Sequence, residues 1–224
     1  MKLKKIASLA LAGIMAVSLL AGCKSNPADP ENPTNPETTT GIVAAFNDGQ
    51  SATNDVKVTF TSDSEVAAAM TSALNGLGDS AKTTSYDNLT SEVNKYLGKN
   101  KDLSMTTVTA EDPVVDSSRS NYNLANADSI DGKIVSAFAV FRVDSVLSAN
   151  AAAKNAAKQI NNDVISKLPS TTFEDGKMKD GDKYADYSYT GTVDMVSVQN
   201  SDGTTSYYVG YTITRTATVS TFEK

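Results

Sequence analysis

Two long runs of β-type residues, 184–198 and 205–219, flank the sequence Asn200-Ser201-Asp202-Gly203, and this pair constrains the fold more than any other stretch. In the second run Tyr207, Val209, Tyr211, Ile213, Ala217 and Val219 share one face, while Tyr208, Thr212, Thr214, Thr216 and Thr218 share the other, because side chains alternate along a strand. Asn-Ser-Asp-Gly suits a type I turn with Gly203 in the left-handed region, giving a three-residue loop and a G1 bulge. That loop predicts Val193 facing Tyr211 and Met195 facing Val209, with Thr192 opposite Thr212 on the outside. A two-residue loop would set apolar residues against threonines, so turn and alternation specify one register.

Upstream, residues 133–143 are apolar on both alternating faces, which predicts a central strand covered on both sides. Asp144 or Ser145 is placed to cap a following helix whose stripe is Val146, Ala149, Ala153, Ala156, Ile160, Val164 and Leu168, ending at Pro169. Its alanines predict a helix lying close to its sheet. In the first half, residues 42–46 and 56–60 read as short β-runs around Asn47-Asp48-Gly49. Ser62 and Glu65 then fit a capping box ahead of Val66, Ala69, Met70, Ala73 and Leu77 at helical spacing, with Gly76 and Gly78 as the stop. Tyr86, Leu89, Val93, Tyr96 and Leu97 give a second helix ended by Gly98, and residues 103–110 read as a strand with a bulge near Thr107.

The fold class expected is α+β, an antiparallel sheet packed on helices. Its C-terminal half, strand-helix-strand-strand, resembles a cystatin-type roll in outline, a likeness of fold that implies no activity. Residues 111–131, with Pro113 and Ser117-Ser118-Arg119-Ser120, are the least periodic part. A loop this long is a candidate for binding, and it also marks a candidate boundary between two units inside residues 41–224.

The chemistry available is limited. The chain has no histidine, the commonest general base and metal ligand at neutral pH, which excludes Ser-His-Asp and Cys-His arrangements. No lysine follows a serine by three positions, and no Gly-rich phosphate loop occurs. Carboxylates, lysine, tyrosine and serine remain, which points away from an enzyme. The candidate binding residues are Arg119, Arg142 and Arg215, each with a fork of donors for a carboxylate or phosphate. For Arg142 and Arg215, which interrupt apolar strands, the alternative is a strand-end arginine reaching solvent or an acidic neighbour. Two acidic turns, Glu174-Asp175-Gly176 through Asp180-Gly181-Asp182 and Asn126, Asp128, Asp131 and Gly132, offer oxygen ligands for calcium. Neither matches the EF-hand spacing, and no metal or other cofactor is expected.

The N-terminus carries Lys2, Lys4 and Lys5, then a largely apolar stretch to Leu19, then Leu20-Ala21-Gly22-Cys23. This is the layout of a secretory signal peptide, and the apolar run is shorter than the roughly 20 residues a membrane span needs. Leu20-Ala21-Gly22-Cys23 resembles the lipobox of bacterial lipoproteins. The resemblance implies that residues 1–22 are removed, that Cys23 receives a diacylglyceryl group on sulfur, and that its new α-amine can also be acylated, with palmitate-type chains. It covers residues 1–23 only. Two acyl chains give stable attachment where one holds marginally.

Loss of residues 1–22 moves the formal charge from −6 to −9, since only Lys2, Lys4 and Lys5 go with them. A chain this acidic is a poor partner for nucleic acid, whose binding rests on lysine and arginine contacts to phosphate. Pro27, Pro30, Pro33 and Pro36 recur every third residue, the period of polyproline II, so residues 23–40 read as a lipidated cysteine and a semi-rigid tether. The expectation is a lipid-anchored module at the bacterial cell membrane, facing outside the cytoplasm, that binds an unidentified envelope ligand or protein or serves a structural role. The alternative is a histidine-free envelope hydrolase using a carboxylate pair.

Overall fold

The structure, a computed structural model, describes residues 14–15, 41–97, 106–107, 134–143, 148–171 and 183–221. Along the chain the elements are β1 (Ile14–Met15), α1 (Ile42–Asp48), β2 (Val58–Thr61), α2 (Ser64–Leu77), α3 (Tyr86–Asn94), β3 (Thr106–Thr107), β4 (Ile134–Val143), α4 (Ala149–Asp163), β5 (Lys183–Gln199) and β6 (Thr205–Thr221). The fold is α+β. Cys23, the tether, Arg119, the loop 111–131, both acidic turns and most of the strand expected at 103–110 lie outside the described residues.

β5 and β6 pair antiparallel in the expected register, with Val193 opposite Tyr211, Met195 opposite Val209 and Thr192 opposite Thr212. Gly203 has φ +80°, and its N–H donates to Asn200 O at 3.0 Å while Asn200 N donates to Thr204 O at 2.8 Å, as a type I turn with a bulge requires. β4 pairs antiparallel with the other edge of β6, Ala139 opposite Tyr211. The sheet is mixed rather than antiparallel throughout: β2 runs parallel to β5, with Phe60 beside Gly191, and β3 runs parallel to β4. The first half of the chain thus contributes to the same sheet as the second. The dipeptide β1 meets β5 antiparallel at Ser197 and Val198.

Helices pack on both sheet faces, though on the α2–α3 side Ser188, Thr190, Thr218 and Ile134 stay exposed. Ala139, Phe141, Val193, Val209, Tyr211 and Ile213 pack with Ile42, Phe46, Ala153, Ala156 and Ile160 of α1 and α4. On the opposite face Phe138, Val140, Val196, Val198 and Tyr208 pack with Val66, Met70, Leu74, Leu89 and Val93 of α2 and α3. The likeness to a cystatin-type roll is not confirmed, since helices occupy both faces instead of one. Thr212 is buried accordingly, not outside, and its hydroxyl is satisfied by Thr192 Oγ1 at 2.7 Å and Thr192 N at 3.0 Å.

Residues 42–46 form a helix and not a strand: Ile42, Ala45 and Phe46 are buried at i, i+3 and i+4, one helical face. α2 is capped by Asp63, whose carboxylate accepts from Glu65 N at 3.0 Å, and not by Ser62. The Ser62 hydroxyl donates instead to buried Asp194, which also accepts from Asp63 N at 2.8 Å, because a buried carboxylate needs donors. α2 runs on through Gly76 and stops at Gly78, φ +53°, so only the second of the two expected stops acts. α3 ends at Asn94, ahead of Gly98. α4 starts later than expected, with Ser148 accepting from Ala151 N at 3.2 Å, and it yields to a short 3-10 helix, Ile165–Lys167, before Pro169.

Candidate functional site

Arg142 lies near the end of β4, opposite Tyr208 of β6, and there it borders a cleft of about 270 Å³ lined by Lys82, Thr83, Thr84, Ser85, Tyr86 and Asp87. The lining is built from the chain turn between α2 and α3. Gly78 redirects the backbone into a short 3-10 helix, Gly78–Lys82, and Thr83 N and Thr84 N both donate to Ser80 O at 3.1 Å. Ser85 then opens α3, its hydroxyl oxygen accepting from Asn88 N at 3.4 Å and its carbonyl accepting from Leu89 N at 2.9 Å.

Arg142 donates from its guanidinium to Lys82 O, which ties β4 to the end of the 3-10 helix. Tyr86 returns the connection through its hydroxyl to Arg142 O at 3.4 Å, and its ring meets Phe141 edge-on with centroids 6.3 Å apart. The opposite end of the wall is held by the β5–β6 turn. Lys82 Nζ lies 2.7 Å from an Asp202 carboxylate oxygen, and Asp79 accepts from the Ser201 hydroxyl and from Ser201 N. These contacts hold both carboxylates below the usual range, Asp202 chiefly through Lys82 and then Thr204, Asp79 chiefly through the Ser201 hydroxyl. The pairs are solvent-exposed, so they position the turn and add little stability.

Of the arginines singled out in the sequence, Arg142 and Arg215 do not converge, and Arg119 lies outside the described residues. Arg215 pairs across the sheet with Val135, at the other end of β4 from Arg142. It is 1 % exposed, and its guanidinium stacks on the Tyr187 ring at 4.3 Å and hydrogen-bonds the Tyr189 side chain. The expected alternative of a strand-end arginine reaching solvent is therefore wrong for this residue. Stacking on an aromatic face suits a weakly hydrated, delocalised cation, and Arg215 belongs to the core. Tyr189 completes this cluster by donating to Pro169 O at 2.7 Å.

The sequence reading missed Lys82 and the hydroxyl run Thr83-Thr84-Ser85. The signal present was a basic residue and three hydroxyls directly before a helix start, and nothing along the chain tied it to Arg142. One carboxylate, Asp87, lines the cleft, whereas a glycosidase-type pair needs two facing ones. Among the described residues, no group of three or more Asp, Glu, Cys or His side chains could hold a metal ion. Comparisons with protein-family models, with curated proteins and with solved structures gave no match to this chain.

Proposed function

We propose that this chain is a bacterial envelope lipoprotein. Cys23 carries the lipid, residues 24–40 hold the domain off the membrane, and the α+β domain is a binding module facing outside the cytoplasm. The observation that carries this reading is Leu20-Ala21-Gly22-Cys23, at the end of a basic and then apolar segment and holding the only cysteine in the chain. Among the described residues, no helix is long and apolar enough to cross a membrane. The cleft beside Arg142 supports a binding role, because side chains of both charges and several hydroxyls meet there around a recess.

The test is fractionation of cells expressing the full chain and its Cys23→Ser variant. The unmodified chain is expected in the membrane fraction and the variant free of stable membrane attachment, since two acyl chains account for stable anchoring. Unchanged, salt-resistant membrane association of the variant would overturn the proposal.

A further inference from the structure

β5 is 17 residues long, and its two edges are used unequally. β6 pairs with one edge over the whole strand, from Lys183 to Gln199. On the other edge Thr171 meets Asp186, and β2 pairs from Tyr189 to Thr192. Beyond Thr192 the element found on that edge, among the described residues, is β1, with Ile14 opposite Val198 and Met15 opposite Ser197. An edge strand presents backbone N–H and C=O groups to any chain that can extend beside it, and sheets blunt such edges with lysine, proline or exposed charge. Residues 193–199, Val-Asp-Met-Val-Ser-Val-Gln, contain no lysine, arginine or proline. Their one charge, Asp194, is buried and engaged by the Ser62 hydroxyl and Asp63 N.

In the processing proposed above, cleavage before Cys23 removes residues 1–22 and β1 with them, so this part of β5 loses the strand that accompanies it in the full chain. The chemistry of a replacement follows from its place. Residues paired across two strands share a sheet face, and Val198 lies on the face packed by α2, buried with Val196, Val66 and Leu74. A partner residue opposite Val198 therefore extends an apolar cluster. The residue at that place in the full chain is Ile14, in the largely apolar stretch from Ile6 to Leu19. A second copy of the chain is the less suitable occupant, because two mature chains at a formal charge of −9 repel each other.

We propose that, once residues 1–22 are removed, the β5 edge at Ser197 and Val198 takes up an extended apolar segment of a partner polypeptide as an added antiparallel strand. In this mode of recognition main-chain hydrogen bonds supply the affinity and alternating side chains supply the selectivity. The proposal rests on the processing and the binding role given to the domain above, and names the class of partner and the place where it docks.

The test is binding of a synthetic peptide, residues 10–19 of this chain flanked by lysines for solubility, to the mature, detergent-solubilised protein. The comparison peptide carries Met15→Pro, which keeps the length and charge and removes a backbone donor. Saturable binding of the first peptide is expected, with hydrogen exchange slowed at the β5 amides around Ser197 and Val198. The proline peptide is expected to bind more weakly by about tenfold or more, the size of effect that a lost hydrogen bond produces. Unprocessed chain, in which β1 holds the edge, is expected to bind the first peptide more weakly than mature chain does. No binding, equal binding of the two peptides, or slowed exchange elsewhere than on β5 overturns the proposal, as does a mature protein already dimeric through this edge. The mass of the N-terminal peptide separates the two readings. A chain that begins at Met1 removes the processing and this proposal together, whereas a chain that begins at Cys23 and ignores the peptide removes this proposal alone.

Discussion

Gly191 sits where three strands crowd together. A Cβ there would lie 2.5 Å from Thr212 O and 2.7 Å from the Phe60 ring, and Phe60 is itself fixed edge-on against Phe46 at 5.1 Å. Neither the backbone nor the buried ring can retreat cheaply. Gly191→Ala is therefore expected to cost about 1–3 kcal/mol as overpacking, read as a lower denaturant midpoint with an unchanged slope. Nothing in the sequence around Gly191 signals this, because the crowding comes from β2, which is far away along the chain. Gly203 is the opposite case, since its left-handed backbone is required by a turn whose four residues are contiguous.

Tyr189 and Tyr211 give the fold a pH limit. Burial raises both phenols above the ordinary value of 10.0, and the Tyr211 hydroxyl has no hydrogen-bond partner among the described residues. The folded state thus holds both rings protonated. Their contribution is fully present below about pH 10, where unfolded tyrosine titrates, and is lost as pH rises toward the raised folded values. Denaturant midpoints measured across alkaline pH are expected to fall above about pH 10, and Tyr211→Phe is expected to flatten that fall. An identical profile for the variant would contradict the assignment.

Elements were legible where local signals agreed. The β5–β6 register followed from turn chemistry and alternation together, and β4 is buried on both faces from Ala137 to Phe141, while Ile134 at its start is exposed. Residues 42–46 were misread because Ile-Val-Ala-Ala-Phe has no polar interval to reveal its period, and because α1 starts at Gly41 without a side-chain cap. The parallel pairing of β2 was not legible, since no turn joins a four-residue strand to a partner so distant in sequence.

The alanines of α4 do allow close approach, though the near neighbour includes another helix: a Cβ on Gly49 at the end of α1 would lie 3.2 Å from Ala157 Cβ. Ala156 is fully buried and Lys158 is exposed. Ala156→Leu is expected to destabilise by about 1–3 kcal/mol, whereas Lys158→Leu is expected to stay within about 0.5 kcal/mol. Equal effects at the two positions would contradict the packing described for α4.

At the scale of the molecule, helices lie on both faces of the sheet, but on the α2–α3 side Asp186, Ser188, Thr190 and Thr218 stay exposed. The cleft lies at the other end of that side, where the α2–α3 connection meets Arg142 and is pinned by the β5–β6 turn through Asp79 and Lys82. Its parts lie between 55 and 60 positions apart along the chain, from Arg142 back to residues 82–87. The sequence alone could nominate Arg142 but could not supply its surroundings, because those depend on the sheet order.

The proposed anchor stands in contrast, since Leu20-Ala21-Gly22-Cys23 and its flanks are contiguous and need no tertiary structure to be read. That contiguity makes the central claim open to direct measurement. The mass of the N-terminal peptide, taken from protein isolated from its own membrane fraction, is predicted to begin at Cys23 and to exceed the unmodified peptide by a diacylglyceryl group, with or without an acyl group on the amine. A peptide that begins at Met1, or one that carries Cys23 as a free thiol, would contradict the account.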